Sequence, residues 1–315
     1  MRVAAVLAVL VFTAAPAAGQ SPDGAPQAPV FKSGLALVSL NVTVQDGAKY
    51  VSGLQPADFA IYEDGVRQDV RFFESSAVPI DLILLIDTSS SMVDKLRIVH
   101  DAASGFLKTL RAGDRGAVVG FADTVQVLQP LTSDRAILEQ AVRATGAKGS
   151  TSLNNAVYIA LKQFGQGARA GVDPRRQAIV VLSDGQDTSS VVSFDDVVAL
   201  ARKTGVNIYT VSMQSGLAAG VRAQQSRRYF SDSDLAMKTL ARETGAQAFF
   251  PAPKDLNGVY GTIAAELASQ YSIGYVPANN RLDGRFRRVV VQVVTKPSLH
   301  PRTRPGYTAN AVGSF

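Results

Sequence analysis

Three nearly unbroken apolar runs limit what this chain can become. They are Ile80-Asp81-Leu82-Ile83-Leu84-Leu85-Ile86, Ala117-Val118-Val119-Gly120-Phe121 and Ala178-Ile179-Val180-Val181-Leu182. A strand that alternates apolar and polar residues has one wet face. A strand without alternation is buried on both faces, the mark of a parallel sheet covered by helices. Between the runs lie segments with apolar residues near helical spacing. One carries Leu96, Val99, Ala103, Phe106 and Leu110. A second begins near Ser133-Asp134 and carries Ile137, Leu138, Ala141 and Val142, and a third follows Ser152 with Leu153, Val157 and Leu161. Ser193-Phe194-Asp195-Asp196 reads as a capping box that opens a fourth helix, ended by Gly205. Thr124 to Leu128 reads as a short strand, Val206 to Val211 as a longer one, Asp234 to Glu243 as a helix stopped by Gly245, and Ala246 to Phe250 as the last strand of the set. The expected fold class is α/β, with a doubly wound, mainly parallel sheet.

The flanks have a different pattern. Val38 to Val44 alternates, as a half-buried strand does. Phe59 to Glu63 and Val66 to Phe73 flank Asp64-Gly65, a strong hairpin signal. After a helix carrying Leu256, Val259, Ile263 and Leu267, the strands Tyr271 to Val276 and Phe286 to Val294 follow, joined by a polar turn with Asp283-Gly284. The expectation is a small accessory β unit in which N- and C-terminal strands pack together. The expected organisation is a signal peptide at 1–20, a flexible leader at 21–30, an N-terminal β segment at 31–78, an α/β domain at 79–270 and a C-terminal β segment at 271–315.

The first twenty positions suggest export. Arg2 supplies a positive start, Val3 to Ala15 an apolar stretch, and Ala17-Ala18-Gly19 small residues for cleavage. That stretch is short for a membrane span, and no later segment is long and apolar enough to be one. The expected mature protein is secreted or periplasmic and has no transmembrane segment. The chain has no cysteine, which excludes disulfides, thiolate metal sites and cysteine nucleophiles. A formal net charge of +6 gathers late, at Arg222, Arg227, Arg228, Arg281, Arg285, Arg287, Arg288, Arg302 and Arg304. Arg285, Arg287 and Arg288 flank an apolar strand, so a solvated strand face accounts for them, and nucleic acid is not an expected partner.

The chemistry concentrates where the first run ends. Asp87-Thr88-Ser89-Ser90-Ser91 places a carboxylate and hydroxyls on a loop at the C-terminal edge of the sheet. Ligands bind at that edge in open α/β folds. Gly149-Ser150-Thr151-Ser152 precedes a helix and adds a hydroxyl, and Ser183-Asp184-Gly185 follows the third run and adds a carboxylate. Oxygen donors without nearby Cys or His suit a hard cation such as Mg²⁺, with Mn²⁺ or Ca²⁺ as alternatives. Asp123 and Asp187 read as turn and loop residues, and His100 and His300 as structural.

Asp87-Thr88-Ser89-Ser90-Ser91-Met92, Thr151 and Ser183-Asp184-Gly185 resemble the three parts of the metal-ion-dependent adhesion site of von Willebrand factor type A domains. The resemblance implies metal approach through the hydroxyls of Ser89, Ser91 and Thr151 and through Asp87 and Asp184, directly or by water. It also implies an open coordination position filled by an acidic side chain of a protein ligand. Leu54 to Phe59, Tyr62-Glu63-Asp64-Gly65, Gln68 and Phe73, with Tyr271 to Tyr275, Asp283-Gly284, Phe286-Arg287 and Arg304-Pro305-Gly306-Tyr307, resemble the exported bacterial VWFA-related domain family. Two positions depart: Ser150 stands where a second glycine is common, and Asn155 where many type A domains have Asp.

The expected function is an exported, non-enzymatic adhesion or scaffold module. Two rivals remain at this level. A Mg²⁺-dependent phosphotransferase also begins with an aspartate at a strand end, but needs a second carboxylate two residues on, where this chain has Ser89. The other rival is a metal-stabilised structural domain without a ligand at the site.

Overall fold

Strand β6, Ile80–Asp87, is buried at every position and forms the middle of a six-stranded sheet. The computed structural model describes residues 37–75, 78–167, 175–184, 187–213 and 231–309. The expected signal peptide and leader, Gly185, Arg222, Arg227 and Arg228 lie outside them.

The sheet comprises β6, β7 (Arg115–Phe121), β8 (Val125–Thr132), β9 (Arg176–Ser183), β10 (Asn207–Ser212) and β11 (Ala248–Phe249), in the order β11-β10-β9-β6-β7-β8. All neighbours are parallel except β8, which runs antiparallel to β7. The connection between β7 and β8 is too short for a crossover, so only an antiparallel neighbour is reachable. β8 is longer than the expected Thr124 to Leu128 and carries Pro130, tolerated because this is an edge strand. β11 is shorter than expected and is soon followed by Pro251.

Double burial of the central strands arises from two helical layers. Leu82, Leu84 and Ile86 face α1 (Leu96–Leu107), α2 (Arg135–Arg143) and α6 (Leu256–Ser269). Ile83 and Leu85 face α3 (Leu153–Gly167), α4 (Phe194–Thr204) and α5 (Asp232–Glu243). Each buried Leu or Ile contributes about 1.5–3 kcal/mol. Helix starts follow local chemistry. Asp134 caps α2 through the amides of Ala136 and Ile137, and Ser193 caps α4 through that of Asp196. Gly205 ends α4 at φ 70°. α5 starts two residues before the expected Asp234, because Asp234 closes a capping box with Ser231 from inside the first turn.

The flanking strands form two further antiparallel sheets. β1 (Val38–Asp46) lies between β12 (Tyr271–Tyr275) and β14 (His300–Arg302), with β2 (Lys49–Tyr50) also on β1 and β5 (Val70–Ser75) beyond β12. The second sheet has the order β15 (Gly306–Thr308), β13 (Phe286–Val293), β3 (Phe59–Glu63), β4 (Val66–Gln68). Asp64 and Gly65 turn β3 into β4 with φ 48° and 84°, the left-handed pair a two-residue hairpin needs. Although β12 and β13 are consecutive, they belong to different sheets, and one apolar core joins the two sheets.

Buried polar groups join these sheets to the α/β body. Glu266 on α6 is fully buried and accepts hydrogen bonds from Tyr209 (2.7 Å), Tyr50 (3.1 Å) and Thr43 (3.2 Å). Arg302 of β14 lies 2.5 Å from its carboxylate. Arg287, expected on a wet face, is instead buried and paired with Asp283 at 2.9 Å. Arg304 reaches the carbonyls of Ser39 and Arg202. Part of the late basic excess is therefore internal. His100 places its Nε2 2.6 Å from Thr145 Oγ1.

Candidate metal centre

Strand order places the site. The chain leaves β6 toward β7 on one side and later returns to β9 on the other. The crevice at such a switch point lies outside the C-terminal strand ends, where Asp87 ends β6 and Asp184 follows β9.

Asp87 is fully buried and Ser89 nearly so, whereas Ser91 is exposed. The Ser89 amide donates to Asp87 Oδ1 at 2.8 Å, and the hydroxyls of Ser89 and Ser91 are 3.0 Å apart. Asp87 Oδ2 accepts from the Ser183 hydroxyl at 2.5 Å. Burial pushes the Asp87 carboxyl above its ordinary value; hydrogen bonds from Ser183 and Ser89 oppose the rise, and the nearby Asp184 charge adds to it. Met92 turns into the core and anchors the end of the loop.

Thr151 is brought to this edge by backbone pairing between loops. Lys148 N donates to Thr88 O at 2.7 Å and Ser90 N to Gly149 O at 3.0 Å. Thr88 is itself held by its amide on Phe121 O at 2.8 Å. Thr151 N binds the Thr188 hydroxyl at 3.0 Å, and Thr151 O accepts from the amides of Thr188 and Ser189. Asp184 is 14% exposed. Its Oδ2 lies 3.5 Å from Lys95 Nζ, while its Oδ1 is buried with no hydrogen-bond partner.

Among the described residues no group of three or more His, Cys, Asp or Glu is gathered to hold a metal. The donor set is two carboxylates supplemented by hydroxyls. A buried carboxylate oxygen without a partner is costly unless something satisfies it, and a hard divalent cation does so with this chemistry. The residues fit the cation that the sequence suggests.

Several supporting residues were not legible as such. Asp123, read as a turn residue, accepts the Ser150 amide at 2.7 Å and fixes the loop before Thr151. Asp187, read as a loop residue, is exposed, yet it accepts the Asn154 amide at the start of α3 and the Ser190 amide. Asn155 accepts from the amides of Val191 and Val192, so it orders the loop after β9. Lys95 carried one faint signal: a cation at the start of a helix opposes the helix dipole.

A doubly wound, mainly parallel sheet with carboxylates and hydroxyls at its switch point defines the class of protein as an α/β module. A family model of the von Willebrand factor type A domain matches residues 81–254, more than half of the chain, and the chain belongs to that family. It is similar to a UPF0353 protein of Mycolicibacterium paratuberculosis, 29% identical over 195 residues and covering 58% of each chain. It is also similar to Matrilin-4 of Mus musculus, 28% identical over 159 residues, 47% of this chain and 25% of that one. The chain thus spans only part of the length of these curated relatives. A solved von Willebrand factor type A structure from Catenulispora acidiphila covers 89% of this chain and 65% of that one at 14% identity, with a TM-score of 0.52, which shows the fold.

Proposed function

We propose that this chain is an exported, non-enzymatic adhesion or scaffold module of the VWFA-related type. It docks an acidic side chain of a protein partner through a divalent cation. Asp87, Ser89, Ser91, Thr151 and Asp184 would hold Mg²⁺, with Mn²⁺ or Ca²⁺ compatible with the same oxygens. The bound ion would supply a fixed positive charge facing solvent. The observation that carries the reading is the union of the hydrogen-bonded Asp87–Ser89–Ser91 cluster with the unpartnered buried oxygen of Asp184. Family membership supports it, since type A domains typically bind proteins through such sites.

The chain's own residues prepare the exchange. Ser183 and the Ser89 amide hold Asp87 in one orientation. Two carboxylates balance a divalent charge without filling its coordination sphere, which leaves room for a partner carboxylate. The enzymatic alternative is disfavoured by Ser89, a hydroxyl where a phosphotransferase needs an acid. Export is supported by the pattern of Met1 to Gln20.

The test is capture of partners from the native exported proteome with and without EDTA, using wild type and Asp87→Ala. Capture lost in both EDTA and the variant is the expected result. Metal-independent capture that Asp87→Ala leaves unchanged sinks the reading.

A further inference from the structure

We propose that Lys95 is a tethered cation that competes with the metal for Asp184 and thereby sets how tightly the site holds it. The inference rests on the metal-site reading above and concerns a residue outside the donor set.

Lys95 is the N-cap residue of α1 and its side chain makes no cap hydrogen bond. Helix physics disfavours a cation there, since the N-terminal end of the dipole is positive. Its position follows from what it faces. The side chain is 12% exposed, and Nζ lies 3.5 Å from Asp184 Oδ2 and donates to Met213 O at 3.3 Å. The ammonium therefore covers one oxygen of Asp184 and leaves Oδ1 without a partner. A buried ion pair is costly unless further hydrogen bonds satisfy its remaining lone pairs. Here one oxygen is matched by the lysine and the other is left for a second cation.

The two charges then act on one carboxylate. A divalent ion held by Asp184 meets repulsion from an ammonium a few ångströms away, and the lysine must share or yield its oxygen. A compact ammonium on a flexible stem is suited to that exchange. Loss of the positive charge should tighten metal binding by about tenfold, the effect of a unit charge near a divalent ion under strong screening. Without metal the same loss leaves Asp184 with no counter-charge, so the variant should be less stable than wild type until metal is added.

The experiment is titration calorimetry of Mg²⁺ into wild type, Lys95→Met and Lys95→Arg, with thermal melts of each in EDTA and in saturating Mg²⁺. Lys95→Met is expected to bind Mg²⁺ about tenfold tighter, to melt lower than wild type in EDTA, and to gain more from Mg²⁺. Lys95→Arg, which keeps the charge, should stay close to wild type. Lys95→Gln makes the same comparison should Lys95→Met fail to fold. Binding by the neutral variant that is no tighter than wild type overturns the inference and leaves the metal site standing. Absence of Mg²⁺ binding in both wild type and the neutral variants overturns the metal site and the inference with it.

Discussion

The Ser183 hydroxyl donates a 2.5 Å hydrogen bond to Asp87 Oδ2, and so two fully buried side chains tie the ends of β6 and β9 together across the switch point. The bond holds a carboxylate that the fold would otherwise disfavour. Burial raises the Asp87 pKa above its unfolded value, with Ser183 and Ser89 opposing and Asp184 adding. A raised carboxyl favours the folded state fully below the unfolded value of 3.8. That contribution is lost as pH rises through the folded value. At neutral pH the protein without metal therefore carries the cost of a buried charge.

Asp87→Asn should remove that cost. In EDTA at pH 7 its melting temperature should exceed wild type by a few degrees, and the difference should vanish toward pH 3. In wild type, Mg²⁺ at 100 times its dissociation constant should add about 2.7 kcal/mol; in the variant it should add nothing. Calorimetric melts across pH, with and without Mg²⁺, measure both effects. An equal Mg²⁺ gain in Asp87→Asn is incompatible with Asp87 as a metal residue.

Gly149 and Asp123 form a second coupled pair. Gly149 has φ 77°, and a Cβ there would collide with Asp123 Oδ2, whose carboxylate holds the Ser150 amide. Gly149→Ala should cost about 1–2 kcal/mol from the left-handed conformation alone, and more from the collision. Asp123→Ala removes the obstacle while loosening the loop before Thr151. The double variant should therefore be less destabilised than the two single losses added together, a favourable coupling of at least about 0.5 kcal/mol. Urea midpoints of the four proteins measure it. Simple additivity would show that the loop rearranges without feeling Asp123. Mg²⁺ affinity should fall in Gly149→Ala, since Gly149 also accepts the Ser90 amide within the Asp87 loop.

What the sequence made legible follows from how far each signal reaches. The three apolar runs reported a parallel sheet because burial on both faces is a local property of the strand. Ser193 and Gly205 marked the ends of α4 for the same reason, since a cap bonds within its own turn. Asp87, Thr151 and Asp184 became one group only through their strand-end positions and a family resemblance. The placement of β12 and β13 in different sheets was not readable, because the turn between them specifies a reversal and not a partner. Charged residues misled most. Arg287 reads as surface in any window, yet it is buried against Asp283. Lys95 gains meaning only from Asp184, just past the end of a strand that the sequence places far away.

Glu266 joins parts of the chain that no local pattern connects. Its carboxylate lies on α6, accepts from Tyr209 of β10, Tyr50 of β2 and Thr43 of β1, and contacts Arg302 of β14. Burial first, then the Glu266 charge, holds the Tyr209 hydroxyl well above its ordinary pKa, so it donates at any working pH. Glu266→Ala leaves Arg302 without its counter-charge and several donors without an acceptor. Breaking such a buried pair from one side costs about 3–5 kcal/mol, and the low end applies because Arg302 is 27% exposed. The loss should not be uniform. Amide exchange should rise first in β1, β2 and β14, whose polar anchors to α6 are removed, while β6 and β9 keep their protection. Exchange followed by mass spectrometry, beside a urea titration, resolves the two. Equal loss of protection in β6 and β1 would mean that the flanking sheets and the α/β body unfold as one unit, and that Glu266 is not the element that holds them together.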